Sequence, residues 1–303
     1  MTGMPPAASS ARRTWWAVGA CAAVAAIGLG LFALAFRDCR LAVPEGRALG
    51  WELGIRTTPV SADGSDGPER LSRHRISLVG LGPDADAAAW VSGPAEGPPA
   101  RVHLVEAARD GRIRTRLPDG RPGESGPMEA GFDLNLLPLP LGAEPEWKAD
   151  VVWAALPPGK RTVACTVKRL RSGASPQFRC DFPTSVEWVD PATGRYRQVR
   201  NLTATYRFDT LRHAVREARV TFTLREELPP PGGFAARRVV FELAWTGSRQ
   251  AGDAARLRDD ARLASLASAL AAARRPLPAD LIGRLQRADG PFAGIVEGLR
   301  GWR

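Results

Sequence analysis

From Trp51 to Trp245 apolar side chains recur at every second position, and Gly, Pro and Asp interrupt them at short intervals. A period of two places alternate side chains on opposite faces of an extended chain, so this long stretch can fold only as β-strands joined by tight turns. The clearest pairing is between Leu202, Ala204, Tyr206 and Phe208 and, after a turn near Asp209 to His213, Ala218, Val220, Phe222 and Leu224. The opposite faces carry Thr203, Thr205, Arg207, Glu217, Arg219, Thr221 and Thr223, which predicts an antiparallel sheet with one wet face. Asp110-Gly111 between Val102–Ala107 and Arg112–Leu117 predicts one hairpin, and Pro191-Ala192-Thr193-Gly194 a second. Without helical crossovers between the strands, the expected fold is mainly β: an antiparallel sandwich, an open barrel or a curved sheet. One segment does not conform. Each Pro in Leu136-Leu137-Pro138-Leu139-Pro140-Leu141 removes a ladder donor, so this run is expected at an edge or as an extended connector.

Two other segments frame the β region. Thr14 to Phe36 contains no charged residue, long enough as a helix to cross a bilayer, and it follows Arg12-Arg13 and opens on Trp15-Trp16. It reads as a transmembrane anchor or, with Ala33-Leu34-Ala35 as a small-residue cleavage pattern, as a signal segment. At the other end Ala and Leu dominate Asp253 to Arg275, with Leu257, Leu263, Leu266 and Leu270 near helical spacing; Pro276 and Pro278 stop that helix, and shorter ones are expected over Ala279–Ala288 and Pro291–Leu299. The expected organisation is a basic tail over 1–13, the apolar segment over 14–36, a β-rich domain over 37–247 and a helical tail over 248–303. The tail is expected to pack on the sheet as a helical hairpin.

The formal net charge is +10, which raises nucleic acid or an anionic membrane as a partner. Nearly all the cations are Arg, with Lys only at Lys148, Lys160 and Lys168, and they alternate with acids instead of forming a basic run. That pattern argues against nucleic acid. The partners expected are membrane lipid through residues 14–36 and an envelope protein. The location expected is the cytoplasmic (inner) membrane, crossed once, with the N-terminus inside and the main domain outside the cytoplasm; the alternative is secretion after cleavage near Ala35.

Candidate chemistry is sparse. Cys165 and Cys180 lie almost symmetrically about Ser172-Gly173 and are a candidate disulfide, with two buried thiols as the alternative. No G-x-S-x-G, no P-loop and no metal-ligand spacing occurs, and His74, His103 and His213 fall in strands or turns. Asp133, Asp181 and Glu187 read as isolated acids at strand ends. No cofactor or metal is expected, and a non-enzymatic structural or partner-binding β-domain is favoured over an enzyme with an unfamiliar site. A third reading is a carrier whose curved sheet holds a lipid or small apolar ligand, with Trp153, Phe178, Trp188, Tyr206, Phe222 and Trp245 as candidate lining.

Overall fold

The computed structural model describes residues 39, 41–61, 63–82, 87–107, 112–116, 126–140, 144–157, 159–183, 185–190, 193–229 and 232–301. The uncharged segment over 14–36 therefore lies outside the described residues. Among those described, no helix is long and apolar enough to cross a membrane.

Twelve strands form one antiparallel, curved sheet. In chain order they are β1 (Arg47–Val60), β2 (Arg70–Gly80), β3 (Ala87–Pro94), β4 (Arg101–Ala107), β5 (Ile113–Thr115), β6 (Glu146–Val152), β7 (Thr162–Arg171), β8 (Gln177–Asp181), β9 (Ser185–Val189), β10 (Tyr196–Asp209), β11 (Ala214–Glu227) and β12 (Phe234–Gln250). Their spatial order is β5-β4-β3-β2-β1-β12-β11-β10-β8-β7-β6, with β9 also paired to β10. Of the three architectures open to the sequence, the chain adopts the curved sheet, whose two halves are joined where its first long strand pairs with its last. The expected hairpin registers hold: Tyr206 faces Ala218 and Ala204 faces Val220, while β4–β5 and β9–β10 pair as antiparallel neighbours.

The two faces differ. Leu49, Trp51, Leu53 and Ile55 of β1, Ile76 and Leu78 of β2, Val220 and Phe222 of β11 and Phe241 and Leu243 of β12 all enter one continuous inner core. The opposite face of β10–β12 carries the expected polar residues and is wet, whereas that of β1–β4 is covered. Its cover is the helical tail: α1 (Ala254–Ala272), α2 (Ala279–Leu285) and α3 (Ile295–Gly301), packed on Ala48, Val79, Ala89, Val91 and Val102. The buried stripe of α1 is Leu257, Ala261, Ala264, Ala267 and Ser268; of the leucine series that marks the helix in the sequence, Leu257 is buried, Leu263 and Leu270 pack partly buried against the same cluster, and Leu266 is exposed. Small residues let α1 approach closely enough for Ser268 Oγ to accept the Val102 amide at 2.9 Å. Gly298 in α3 meets the same requirement, since a Cβ there would fall 2.1 Å from the Pro99 carbonyl oxygen.

The proline-rich run stays out of the sheet and is an extended connector, as expected, but its path is buried: it forms a plug laid in the concave face. A short 3-10 helix over Leu134–Leu136 is followed by extended chain, and Phe132, Leu134, Leu136, Leu137 and Leu139 are buried against the inner core. A chain without regular ladder bonding can be buried only if its polar groups find other partners. Asn135 supplies two, its Oδ1 accepting from Ile113 N at 2.7 Å and its Nδ2 donating to Ile113 O at 2.8 Å. The Tyr206 hydroxyl donates to Pro138 O, and Trp153 Nε1 donates to Gly131 O at 2.9 Å.

Leu136→Ala should lower the unfolding free energy in urea by about 2–5 kcal/mol, the usual range for a truncated buried leucine whose site cannot fully collapse. An unchanged midpoint would show that the plug contributes no packing to the domain.

Candidate functional site

The plug does not fill the concave face completely. Beside Ala130 and Gly131, toward the end of the sheet marked by the β11–β12 hairpin, a solvent-open cleft of about 310 Å³ remains. Its walls come from five strands and two loops: Ile55 and Thr57 of β1, Trp188 of β9, Val199 of β10, Phe222 and Leu224 of β11, Val239 and Phe241 of β12, and Trp153 to Leu156. These side chains meet because the period-two pattern aims each of them inward and the curvature brings non-neighbouring strands face to face. The aromatic rings interlock edge to face, with centroids 5.3 Å apart for Trp153 and Phe222 and 5.6 Å for Phe132 and Phe241. Such arrangements fix a rigid apolar wall.

Polar groups sit only at the rim. Arg197 is held between Asp190 at 2.9 Å and Glu226 at 2.6 Å, and Arg237 lies 3.9 Å from Glu226. The cleft therefore offers apolar contact inside and a nearly balanced set of charges outside.

Of the six aromatic residues singled out from sequence, three line this cleft: Trp153, Trp188 and Phe222. Phe178 and Tyr206 stack on one another at 5.2 Å deeper in the core, and Trp245 packs on Trp51 at the opposite end of the sheet. Inward direction was readable from the period, but position along the strand was not. The remaining walls, Ile55, Val199, Val239 and Phe241, carried no signal beyond ordinary core composition.

Cys165 and Cys180 share the inner face of β7 and β8, and the structure records both as free, buried thiols. The direct cross-strand partner of Cys180 is Val167, so Cys165 lies one diagonal step away. The symmetric two-residue turn does not form, because Arg171 pairs with Gln177 and the register shifts between Arg169 and Arg171. A hydrogen bond from the Cys180 thiol lowers the pKa of Cys165, whereas that bond and burial raise Cys180. Cys180 also lies 3.9 Å from the Tyr206 hydroxyl, which is itself raised by burial.

Two acids bracket the cleft wall at Ala130-Gly131. Neither behaves as an isolated surface carboxylate. Glu129 is buried, accepts Ser92 Oγ–H at 2.6 Å, lies 2.8 Å from His74 Nδ1 and 3.8 Å from Arg101. Burial alone would raise its pKa, but His74, Ser92 and Arg101 together hold it below the usual carboxylate value. His103 lies in the same neighbourhood, its pKa lowered mainly by burial and also by Arg101. This convergence of His74, Ser92, Arg101 and Glu129 was not visible in the sequence, where the four are spread over 56 positions. Its structural effect is that of a tether: Ser92 and His74 lie within hydrogen-bond distance of the carboxylate and Arg101 stands nearby, so groups from three adjacent strands meet at one acid. Asp133 accepts from Asn135 N at 2.9 Å and lies 3.4 Å from Ala154 N, yet it is completely buried, and desolvation pushes its pKa up to about 7. Among the described residues, no three His, Cys, Asp or Glu side chains are grouped to hold a metal ion.

No family model and no curated protein sequence matches the chain. Among solved structures, lipovitellin aligns over 69% of this chain and 26% of its own at 10% identity with a TM-score of 0.42, so the chain spans about a quarter of it. A DUF1329 family protein from Desulfovibrio piger aligns over 68% of this chain and 86% of its own at 10% identity, TM-score 0.24. The MucA/MucB complex of Pseudomonas aeruginosa aligns over 70% and 91% at 13% identity, TM-score 0.10. Likenesses this weak carry no argument about fold or function.

The titration of Asp133 gives the site a measurable signature. Its folded pKa of about 7 exceeds the unfolded value, so unfolding releases a proton and stability falls as pH rises from about 4 to about 7, then levels. About three units at about 1.4 kcal/mol each set a ceiling on the order of 4 kcal/mol. Glu129 acts in the opposite sense, its contribution being lost as pH falls through its lowered pKa, in a more acidic window. Urea unfolding between about pH 5 and about pH 8 should therefore show declining stability in the native protein and a flatter profile in Asp133→Asn, which keeps an acceptor without the charge. Parallel profiles would assign the decline to another group.

Proposed function

We propose that this protein is a single-pass protein of the bacterial cell envelope, anchored by residues 14–36 with the N-terminus inside, whose extracytoplasmic β-domain holds a slender apolar ligand such as one acyl chain. One observation carries the ligand reading: among the described residues, a cleft walled mainly by apolar side chains, Ile55, Trp153, Leu156, Trp188, Phe222, Val239 and Phe241, stays open beside the buried plug. An apolar hollow open to water is unfavourable unless something occupies it, because each exposed Å² of apolar surface costs about 25 cal/mol. Its volume of about 310 Å³ lies at the small end of ligand pockets, which run from about 300 to 1,000 Å³. A single chain fits that size, and a multi-chain lipid does not. Apolar contact would supply the affinity, and Arg197 and Arg237 at the rim would favour a ligand ending in a polar or acidic group.

The anchoring part of the proposal rests on the uncharged stretch of sequence and the residues that flank it. A purely structural or partner-binding domain is the second reading, favoured by the extent to which the protein fills its own concavity with Phe132, Leu134, Leu136, Leu137 and Leu139.

Two tryptophans in the cleft wall allow a direct test. A brominated fatty acid, whose bromines quench indoles only on contact, should quench the intrinsic fluorescence saturably, and Trp153→Phe with Trp188→Phe together should remove most of that quenching while leaving saturable binding. Quenching that rises without saturation, or that survives in the double variant, would reject the cleft as the binding site and leave the partner-binding reading in its place.

A further inference from the structure

The opposite end of the sheet has a different surface chemistry. There the β7–β8 and β10–β11 turns lie side by side, joined by Thr210, whose N–H and Oγ1 both approach the Ala174 carbonyl oxygen at 3.2 and 3.1 Å. Each turn presents a leucine: Leu170 is 51% exposed and Leu211 72%, the most exposed large apolar side chain among the described residues. Arg169 and Arg171 flank the first; Arg212 and Arg216 follow the second. Asp209 is the acid of the β10–β11 turn, and it is already engaged by Leu211 N, Arg212 N and the Arg212 guanidinium. Behind these turns Arg212, Arg216 and Trp245 line a separate cleft of about 340 Å³, with Asp209 and Glu217 on its other side.

The end carrying the ligand cleft contrasts with this. It too exposes apolar side chains, Val189, Leu228 and Phe234. But Phe234 is covered by Arg225 at 4.5 Å and by Tyr196, and Arg197, Arg237 and Arg238 are matched with Asp190, Glu226 and Asp66. The position of the chain's entry also distinguishes the two ends. Ala42 N donates to His213 O at 3.1 Å, so the chain passes beside the β10–β11 turn only a few residues after the uncharged stretch over 14–36.

We infer that the paired β7–β8 and β10–β11 turns are a membrane-contact surface that seats on an anionic phospholipid leaflet. Leu170 and Leu211 enter the headgroup boundary, Arg171 and Arg216 meet lipid phosphates, and Trp245 lies at interfacial depth behind them. Exposed leucines flanked by arginines combine the apolar and electrostatic contributions that hold proteins at a lipid interface, and tips of this kind enter a fluid surface without needing a shaped partner. This inference rests on the membrane anchoring proposed above but not on the ligand cleft.

The test uses the full chain in a Cys21→Ser background, reconstituted into phosphatidylcholine vesicles with and without phosphatidylglycerol. A polarity-sensitive fluorophore is placed at Leu211→Cys or, as the opposite-end control, at Phe234→Cys. Flotation with the vesicles reads anchoring, and the emission of the fluorophore reads seating. The expected result is flotation with both vesicle types, a blue shift at position 211 only when phosphatidylglycerol is present, and no shift at position 234. Arg171→Glu with Arg216→Glu, two exposed substitutions, should abolish the shift while leaving flotation and circular dichroism intact. Flotation without a shift at 211, an equal shift at 234, or a shift that survives the double charge reversal would overturn the contact surface while leaving the anchor standing. Failure to float with either vesicle would overturn both. Loss of the shift on adding inorganic phosphate at constant ionic strength would reassign the arginines to a soluble anion and overturn the membrane assignment.

Discussion

A curved sheet creates a concave face that cannot be left to water, and the way this chain fills its own concavity determines the rest of the structure. Strands β1, β2 and β6–β12 all direct large apolar side chains into that space. Among the described residues no second sheet closes over it, and the covering material is irregular chain: Cys39, Leu41 and Val43 together with the Phe132–Leu139 plug. Irregular chain brings unpaired amides and carbonyls with it, and leaving such groups buried without partners costs about as much as a leucine gains by burial. The plug is therefore held by a small number of side chains that act as substitutes for a β ladder. Asn135 imitates a strand neighbour for Ile113, Asp133 accepts from the plug's own first turn, and Glu129 gathers donors from β2, β3 and β4. Buried carboxylates are an expensive way to secure a loop. They are required here because the apolar plug supplies burial without direction, and only directional bonds fix which leucine occupies which hollow.

The open cleft follows from the same constraint. Between Glu129 and Asp133 the chain turns through Ala130 and Gly131, both with positive φ, and these small residues bring little side-chain volume to the wall. Trp153 is tied to Gly131 O and so cannot swing across to fill the space. The hollow is thus not a packing accident that neighbouring side chains could close by changing rotamer. It is bounded by a hydrogen-bonded indole, an interlocked aromatic group and a backbone turn clamped on both sides by buried acids.

Much of this fold was legible in the sequence because period-two alternation reports a half-buried strand directly. The β10–β11 pairing, both Gly-turn hairpins and the wet face could be read residue by residue. Signal faded where both faces of the sheet are covered. In β3, Ala88 and Trp90 face the inner core while Ala89 and Val91 face the helices, so alternation vanishes and the strand reads as a short apolar run. Leucine spacing found α1, but not the small residues Ala261, Ala264 and Ala267 that its approach to the sheet selects, and it included Leu266, which is exposed. The proline rule was correct that Leu136 to Leu141 is no strand, but exclusion from the sheet does not imply exclusion from the core. Residues distant in sequence, such as His74, Ser92, Arg101 and Glu129, meet only through sheet order, and nothing local announces it.

The division of the sheet into two chemically distinct ends gives the molecule a polarity that neither face has alone. Charges at the cleft end are paired across strands, Arg197 with Glu226 and Asp190 and Arg238 with Asp66, which suits a surface that remains in water while an apolar guest enters between them. At the other end the exposed leucines stand next to arginines of the β7–β8 and β10–β11 turns, and the chain reaches the concave face past His213. If the proposed anchor precedes the segment that passes His213, the cleft lies at the end of the sheet away from it. Long strands make that separation possible: β10, β11 and β12 run without interruption from one set of turns to the other, so the cleft and the turns are joined by continuous hydrogen-bonded ladder. Bulges in β10, β11 and β12, where the pairing shifts at Arg200/Thr203, Arg207/Phe208 and Gly50/Trp51, bend the strands within that span. Bending an antiparallel ladder without breaking it is what bulges do, and curvature imposed this way creates at once the concavity that needs a plug and the residual hollow that the plug leaves open.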